Sequence, residues 1–534
     1  MKQSIKTNLG KILLFATVAI TLTSCEKEQI ERTMNYDNPS SKSTLGEGAI
    51  VLGNKLNDPY DVDFINEAFS QLVDAGIEFP FNRIEPTGQY VRLFAGSTEE
   101  LDLIESDTNT LWFDFPLDYE MSEGGTYYHD PSLPDSATWK YAVLPMNYSF
   151  PSNIQKELLH YVFIPDDHPD YDKYEDAFDL LEELSEKLCG NRSSSEEDSA
   201  RINNTRGRKW APSATIRTWD NVVHRLIPLQ GAKVTARHYT KCRSGITNSQ
   251  GKYTFESEFK KGHRVKYGIT WERAYWDIRN ALGIQQYYNG LKVEQAWNLD
   301  IYGQKSLMFA TMHRALLKAF YGYWGGINRP YASHKLKVGY LDSYGGKNLA
   351  WNICTWNMFG LLNNISVHGR DSNNNFLTCS DLFGNLTHEL GHQSMLRYVG
   401  GTWNFAGFSY TNFIRESYAN CVEWYITNHY YRNDLGVTNY SHRYDYQWWE
   451  NKGEESSYYT PVFIDLIDEY NQIQEGNGYN ENVSGYTLYE IQDLLIDHSY
   501  GAHSLRVTLK NNLLHGATTE SIDELIDNYI GTGF

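Results

Sequence analysis

Asp381 to Tyr398 reads DLFGNLTHELGHQSMLRY and holds His388, Glu389 and His392 in the spacing H-E-x-x-H. On a helix, residues four apart lie on one face, one turn apart. Two imidazoles stacked in that way can grip one tetrahedral metal ion, and zinc is the usual ion. Glu389, next to the first histidine, projects beside the metal, where it can take a proton from an activated water and pass it on. The neighbours suit a helix. Ser380 can cap its start, Phe383, Leu386, Leu390 and Met395 can pack inward, and Gly400-Gly401 can end it. A chain of 534 residues with 16 histidines meets H-E-x-x-H by chance in a roughly few-per-cent event. A third ligand is therefore the test.

One extension of the motif, H-E-x-x-H-x-x-G-x-x-H, is excluded, because Met395 and Tyr398 stand at the glycine and histidine places. The other extension needs a glutamate on a second helix. Tyr410 to Tyr431 supplies Glu416 in a helix-like run, with Phe413, Tyr418, Cys421, Val422 and Tyr425 as its apolar side. Asn420 lies one turn after Glu416 and can accept a hydrogen bond from the outer nitrogen of a ligand histidine. Glu423 is a second acid on roughly the same face, with Glu416 the preferred ligand.

At His388-Glu389-Leu390-Gly391-His392 and Glu416-Ser-Tyr-Ala-Asn420 the chain resembles the gluzincins, the thermolysin-like zinc peptidases. It departs from them in a longer gap and in Asn420, where the family carries aspartate. The resemblance implies zinc held by His388, His392 and Glu416, with Glu389 as the base. It also implies an oxyanion donor, a Tyr or His from the C-terminal wall. Tyr440, His442, Tyr444, His498, Tyr500 and His503 occupy that part of the chain, with Tyr440, His442 and His503 carried forward as candidates. The mucin-active, enhancin-like peptidases share H-E-x-x-H with a variable gap and are a second gluzincin-like possibility. An aminopeptidase is disfavoured, because no G-x-M-E-N motif precedes the metal helix.

The length allows three or four domains and a sizeable core. A net charge of −20 argues against nucleic acid and anionic membrane surfaces as partners. The 40 Tyr and 14 Trp suit peptide and sugar clefts, although most rings in any protein serve the core. Residues 1–25 read as a targeting segment, with Lys2, Lys6 and Lys11 before the apolar run Ile12 to Leu22. Leu22-Thr23-Ser24-Cys25 resembles a bacterial lipobox, which implies cleavage before Cys25 and its lipidation. Acyl chains would then be the only membrane contact, placing the protein extracytoplasmically on the cell envelope, at the outer membrane or the cell surface.

The expected fold class is multidomain α+β. Residues 26–45 read as a flexible tether and 46–165 as an N-terminal α/β accessory domain. That domain has a helix over Asp61–Ala75, strands at Gln89–Phe94 and Thr110–Phe115, and a Ser97/Glu100 capping box. Residues 166–209 form an acidic helix and a polar linker. Residues 210–272 alternate as strands. Their Pro228-Leu-Gln-Gly-Ala232 and Thr247 to Phe255 runs resemble the carboxypeptidase-regulatory-like, transthyretin-like β-sandwich over about sixty residues, implying an accessory or binding module. Residues 273–534 are the helix-rich zincin domain. It holds a helix at Gln304–Tyr321, strands at Lys335–Leu341 and Asn364–His368, the two metal helices, and helices at Pro461–Tyr470, Thr487–Asp497 and Ser521–Tyr529. Ile365 to His368 is placed as an edge strand that pairs with an extended substrate. Cys354 and Cys379 flank it and a disulfide between them is conceivable, with free buried thiols the alternative.

These readings converge on a zinc peptidase that hydrolyses extracytoplasmic proteins or glycoproteins. The competing class is an envelope-anchored lipoprotein that binds peptide or glycan and keeps a structural or vestigial zinc site. Glu389 argues for the enzyme, because a structural site has no use for that base.

Overall fold

The computed structural model describes residues 48–135, 137–191, 209–256, 258–331, 334–344, 349–350, 363–398, 411–442, 460–471, 482–496 and 501–530. The chain is a mixed α+β protein with several sheets. The expected targeting segment, tether, lipidation residue Cys25, most of the linker, and Cys354 lie outside the described residues. Among the described residues no helix is long and apolar enough to cross a membrane.

In the N-terminal unit, strand β1 (Val51–Lys55) precedes helix α1 (Val62–Asp74), whose N-cap Asp61 accepts the Asp63 N–H at 3.0 Å. Strand β2 (Gly88–Ala95) leads to α2 (Thr98–Glu105), where Ser97 accepts the Glu100 N–H at 3.2 Å. Then come β3 (Tyr119–Glu123), which pairs with β1, and β4 (Thr138–Pro145) and β5 (Lys156–Val162), which flank β2. Both pairings of β2 are antiparallel, so this unit is α+β and not the expected α/β. The strand expected at Thr110–Phe115 is also absent. Trp112 to Asp118 are buried at every position without alternation, and Phe113 makes one isolated bridge to Tyr141. Helix α3 (Glu175–Cys189) ends at Gly190, whose φ of +67° is a left-handed stop.

The next segment contains β6 (Lys209–Trp210), β7 (Ser213–Asp220), β8 (Arg225–Pro228), β9 (Lys233–His238), β10 (Lys241–Ile246), β11 (Lys252–Thr254), β12 (Phe259–Lys260), β13 (Val265–Thr270), β14 (Trp276–Asn280), β15 (Tyr287–Val293) and β16 (Trp297–Ile301). They make one sheet β10-β9-β13-β15 and a second β11-β7-β16 with β8 on β7, while β6 pairs with β12. Ala214 and Ile216 from one sheet and Val234, Ala236 and Ile269 from the other share a core. Strands β15 and β16 complete these sheets, so the boundary expected at residue 272 moves towards residue 301. The exception is β14, which leaves for the sheet of the following unit.

That unit opens with α4 (Gln304–Tyr321), which buries Met308, Met312, Ala315, Leu316 and Ala319. Strands β17 (Leu336–Tyr344), β18 (Leu349–Ala350) and β19 (Ile365–Arg370) join β14 in the order β14-β17-β19-β18. The first three are mutually parallel and β18 is antiparallel. The placement of Ile365–His368 as an open edge is corrected. β18 pairs with Ile365 and Ser366, and the chain returns at Leu377, whose N–H donates to the Gly369 carbonyl at 2.9 Å. Helices α5 (Cys379–Tyr398), α6 (Asn412–His429), α7 (Val462–Asp465), α8 (Leu488–Ile496), α9 (Ala502–Asn511) and α10 (Thr519–Ile530) follow. Only four residues of the helix expected at Pro461–Tyr470 form. Thr487 and Glu490 make both bonds of their capping box, at 2.8 and 3.2 Å.

Buried ion pairs tie the units together. Lys140 Nζ lies 2.8 Å from Glu105 and 2.6 Å from Asp114, and Arg279 on β14 also reaches Glu105 at 3.2 Å. Glu272 lies 2.6 Å from Lys233 and 2.7 Å from Lys335. Burial alone would raise the Glu272 carboxyl, but these two ammonium groups hold it down at about 2. Its folded-state value lies below its unfolded one. The stability it contributes is therefore complete above the ordinary glutamate value and is lost as pH falls through about 2. We expect Glu272→Gln to cost roughly 3 kcal/mol at neutral pH. The gap to wild type should close as urea titrations are taken from pH 5 to pH 2, and a pH-independent gap would contradict the assignment.

Candidate metal centre

The centre is built where α5 and α6 run antiparallel. Thr378 Oγ1 accepts the Asp381 N–H at 3.1 Å, so Thr378 caps α5 in place of the expected Ser380, which is buried in the first turn. Inward packing of Phe383, Leu386, Leu390 and Met395 is as the spacing implied. At Gly391 the two helices lie close together. A Cβ there would lie 3.1 Å from Val422 Cβ and 3.3 Å from Ala419 Cα, so glycine lets the helices come close.

His388, Glu389, His392 and Glu416 are all buried. His388 Nε2 lies 3.3 Å and His392 Nε2 3.4 Å from the same oxygen, Glu416 Oε2. The two rings are edge to face, with centres 4.9 Å apart. Zinc bonds of about 2.0–2.2 Å place neighbouring tetrahedral donors roughly 3.3–3.6 Å apart. This donor set therefore fits a zinc-class ion in spacing and in chemistry. Burial pushes the Glu416 carboxyl up, but His392 and His388 hold it well below the ordinary value, which keeps it anionic.

Behind His388 stands an acid that the sequence reading ranked only as a lesser ligand. Glu423 is fully buried, with Oε2 3.3 Å from His388 Nδ1 and Oε1 3.1 Å from His442 Nε2. His442 Nδ1 is in turn 3.0 Å from the Tyr440 hydroxyl, and the His442 N–H donates to Asn428 Oδ1 at 2.9 Å. Glycine at 384 makes this possible, since a Cβ there would lie 2.4 Å from His442 Nε2.

Glu423, not the expected Asn420, is the residue shown with an oxygen 3.3 Å from His388 Nδ1. At 100° per residue, position +4 from Glu416 lies about 40° off its face and position +7 only about 20° off. Asn420 is buried and its Oδ1 accepts no hydrogen bond among the described residues. The structure places Tyr440 and His442, expected as oxyanion donors, in a chain through Glu423 on the Nδ1 side of His388, opposite the Nε2 atom that meets Glu416. His503 is exposed on α9, and no contact among the described residues joins it to the centre. Tyr444, His498 and Tyr500 lie outside the described residues.

No family model and no curated protein matches the chain. Among solved structures, a 9R-lipoxygenase from Cyanothece PCC8801 is similar over 22% of this chain and 20% of its own, at 14% identity and a TM-score of 0.11. Likeness at that level carries no argument about fold or activity.

A buried carboxylate against the outer nitrogen of a ligand histidine fixes its tautomer and raises its basicity. We expect Glu423→Gln to weaken zinc binding about 10–100-fold with the fold retained. Gly384→Ala, which displaces His442, should act in the same direction. Chelator competition measures both, and wild-type affinity in Glu423→Gln would remove Glu423 from the centre.

Proposed function

We propose that the chain is a zinc-dependent peptidase that hydrolyses peptide bonds of extracytoplasmic proteins or glycoproteins. The observation that carries this reading is the convergence of His388 and His392 on one oxygen of Glu416, with Glu389 beside them on α5. Zinc held by these three donors would supply Lewis acidity and would make a water acidic near neutral pH. Glu389 takes the proton of the attacking water and delivers it to the leaving amine nitrogen as the C–N bond breaks. Glu416 contributes one negative charge. Glu423 holds His388 in the tautomer that turns a lone pair on Nε2 toward the site.

The gluzincin resemblance supports endopeptidase chemistry, with Asn420 at the place of the family's aspartate and Glu423, two turns after Glu416, as the acid beside His388 Nδ1. The 210–301 sandwich, read as a carboxypeptidase-regulatory-like module, suits a secreted peptidase. The order of charged region, apolar run and Leu22-Thr23-Ser24-Cys25 supports an envelope protein lipidated at Cys25 and in membrane contact only through that anchor.

Metal content and cleavage of a mixed peptide library, with a glycoprotein alongside, test the reading. One zinc per chain is expected in both wild type and Glu389→Gln at the α5–α6 centre. The variant should cleave about 10²–10⁴-fold more slowly. Equal cleavage by the two proteins would remove Glu389 from the chemistry. Absence of zinc at His388, His392 and Glu416 would end the proposal.

A further inference from the structure

The described residues bring together another imidazole–carboxylate set, Glu186, His238 and His263, which the chemistry above does not use. Glu186 lies near the end of α3, one turn after Glu182. His238 is the last residue of β9. His263 sits between β12 and β13, in a turn set by Gly262 at φ +94°. The three are 7%, 5% and 2% exposed, at the junction between the N-terminal unit and the β10-β9-β13-β15 sheet.

Their geometry is convergent. His238 Nε2 lies 2.9 Å from Glu186 Oε1, and His263 Nε2 lies 3.1 Å from Glu186 Oε2. The two imidazoles are parallel, with ring centres 4.3 Å apart and 10° between their planes. His238 Nδ1 faces the Arg264 carbonyl at 3.4 Å. With the ring proton on Nδ1, donated to that carbonyl, Nε2 would be free to ligate an ion. When Nε2 carries the ring proton, its 2.9 Å contact with Glu186 is a hydrogen bond, and a metal ion would take the place of that proton. Two parallel imidazolium rings this close would repel strongly in a buried setting.

We propose that Glu186, His238 and His263 form a second metal site, for a divalent ion of the zinc class, that fastens α3 to the sheet carrying β9 and β13. Two imidazoles with a single carboxylate suit zinc and its neighbours and not the oxygen-seeking calcium or magnesium. The site joins α3 to a sheet, so the ion contributes to folding and its removal should loosen the junction.

The variant H388A/H392A lacks the α5–α6 ligands and leaves this cluster untouched. After loading with zinc and desalting, wild type should hold two equivalents and the double variant one. Cobalt titrated into the double variant should give a visible ligand-field band that saturates at one equivalent. Adding H263A or the isosteric E186Q should abolish that band. Chelation should lower the melting temperature of the double variant by about 5 °C or more, and should leave the E186Q form unmoved. A double variant that binds neither zinc nor cobalt overturns the proposal, whatever the added substitutions do to folding. Failure at the α5–α6 centre would read differently, as metal content unchanged by H388A/H392A.

Discussion

A row of charge buried between two helices is the constraint on which this architecture turns. Glu389, Glu416 and Glu423 are at most 8% exposed, beside His388 and His392 at 2% and 5%. Carboxylates taken out of water cost several kcal/mol each unless opposite charge and hydrogen bonds compensate them. Packing α5 against α6 puts the compensation in place. Glu416 faces both histidines through one oxygen, and Glu423 divides its oxygens between His388 and His442. The arrangement tolerates little displacement. Gly391 lets the helices approach and Gly384 admits the His442 ring, so two missing methyl groups set the spacing at which the polar row is balanced.

The surrounding fold holds that spacing from outside. Arg314 on α4 reaches Asp220 at the end of β7 at 2.7 Å, and Tyr431, just past α6, donates to the same carboxylate at 3.1 Å. One buried acid thus links α4, the sheet of β7 and the end of the glutamate-bearing helix. On the far side Trp324 donates to Ser394 on α5 at 3.0 Å, and Gln492 on α8 donates to Tyr418 on α6 at 2.8 Å. Each of α5 and α6 is fixed by neighbours distant in sequence, which is what a constellation needing sub-ångström placement requires.

Local chemistry was legible in the sequence where it is periodic. The H-E-x-x-H helix, Gln304–Tyr321, the Ser97 cap and the Thr487/Glu490 capping box follow from rules that act within one or two turns. Long-range partners were less legible. Glu423 could have been found from its +7 spacing, but His442 reaches it from beyond α6, across a separation that periodicity does not encode. The strand expected at Thr110–Phe115 failed because its aromatics are buried at every position, which removes the alternation that distinguishes a half-buried strand. Ser380 lost the cap to Thr378 because the helix already begins at Cys379, which leaves Ser380 inside the first turn and Thr378 just before it.

The resemblance implies an accessory or binding module at residues 210–272, and the strand order ties that module into the rest of the fold. Between β13 and β15 the chain leaves the sandwich, lays β14 beside β17, and returns. The module therefore cannot close without contributing a strand to the sheet next to the metal helices. Gly231 at φ +76° brings the β8–β9 turn within 2.6 Å of where Leu317 on α4 would meet a Cβ, and His313 faces the Gln230 carbonyl at 2.9 Å. Buried residues of both sandwich sheets, α4, α5, α6 and the C-terminal helices belong to one continuous apolar core. Since α4 packs on the sandwich and also against α5, strain on the sandwich reaches the metal helix through a single packed element. The module is thus part of the scaffold that sets the α5–α6 distance, and not an appendage beside it.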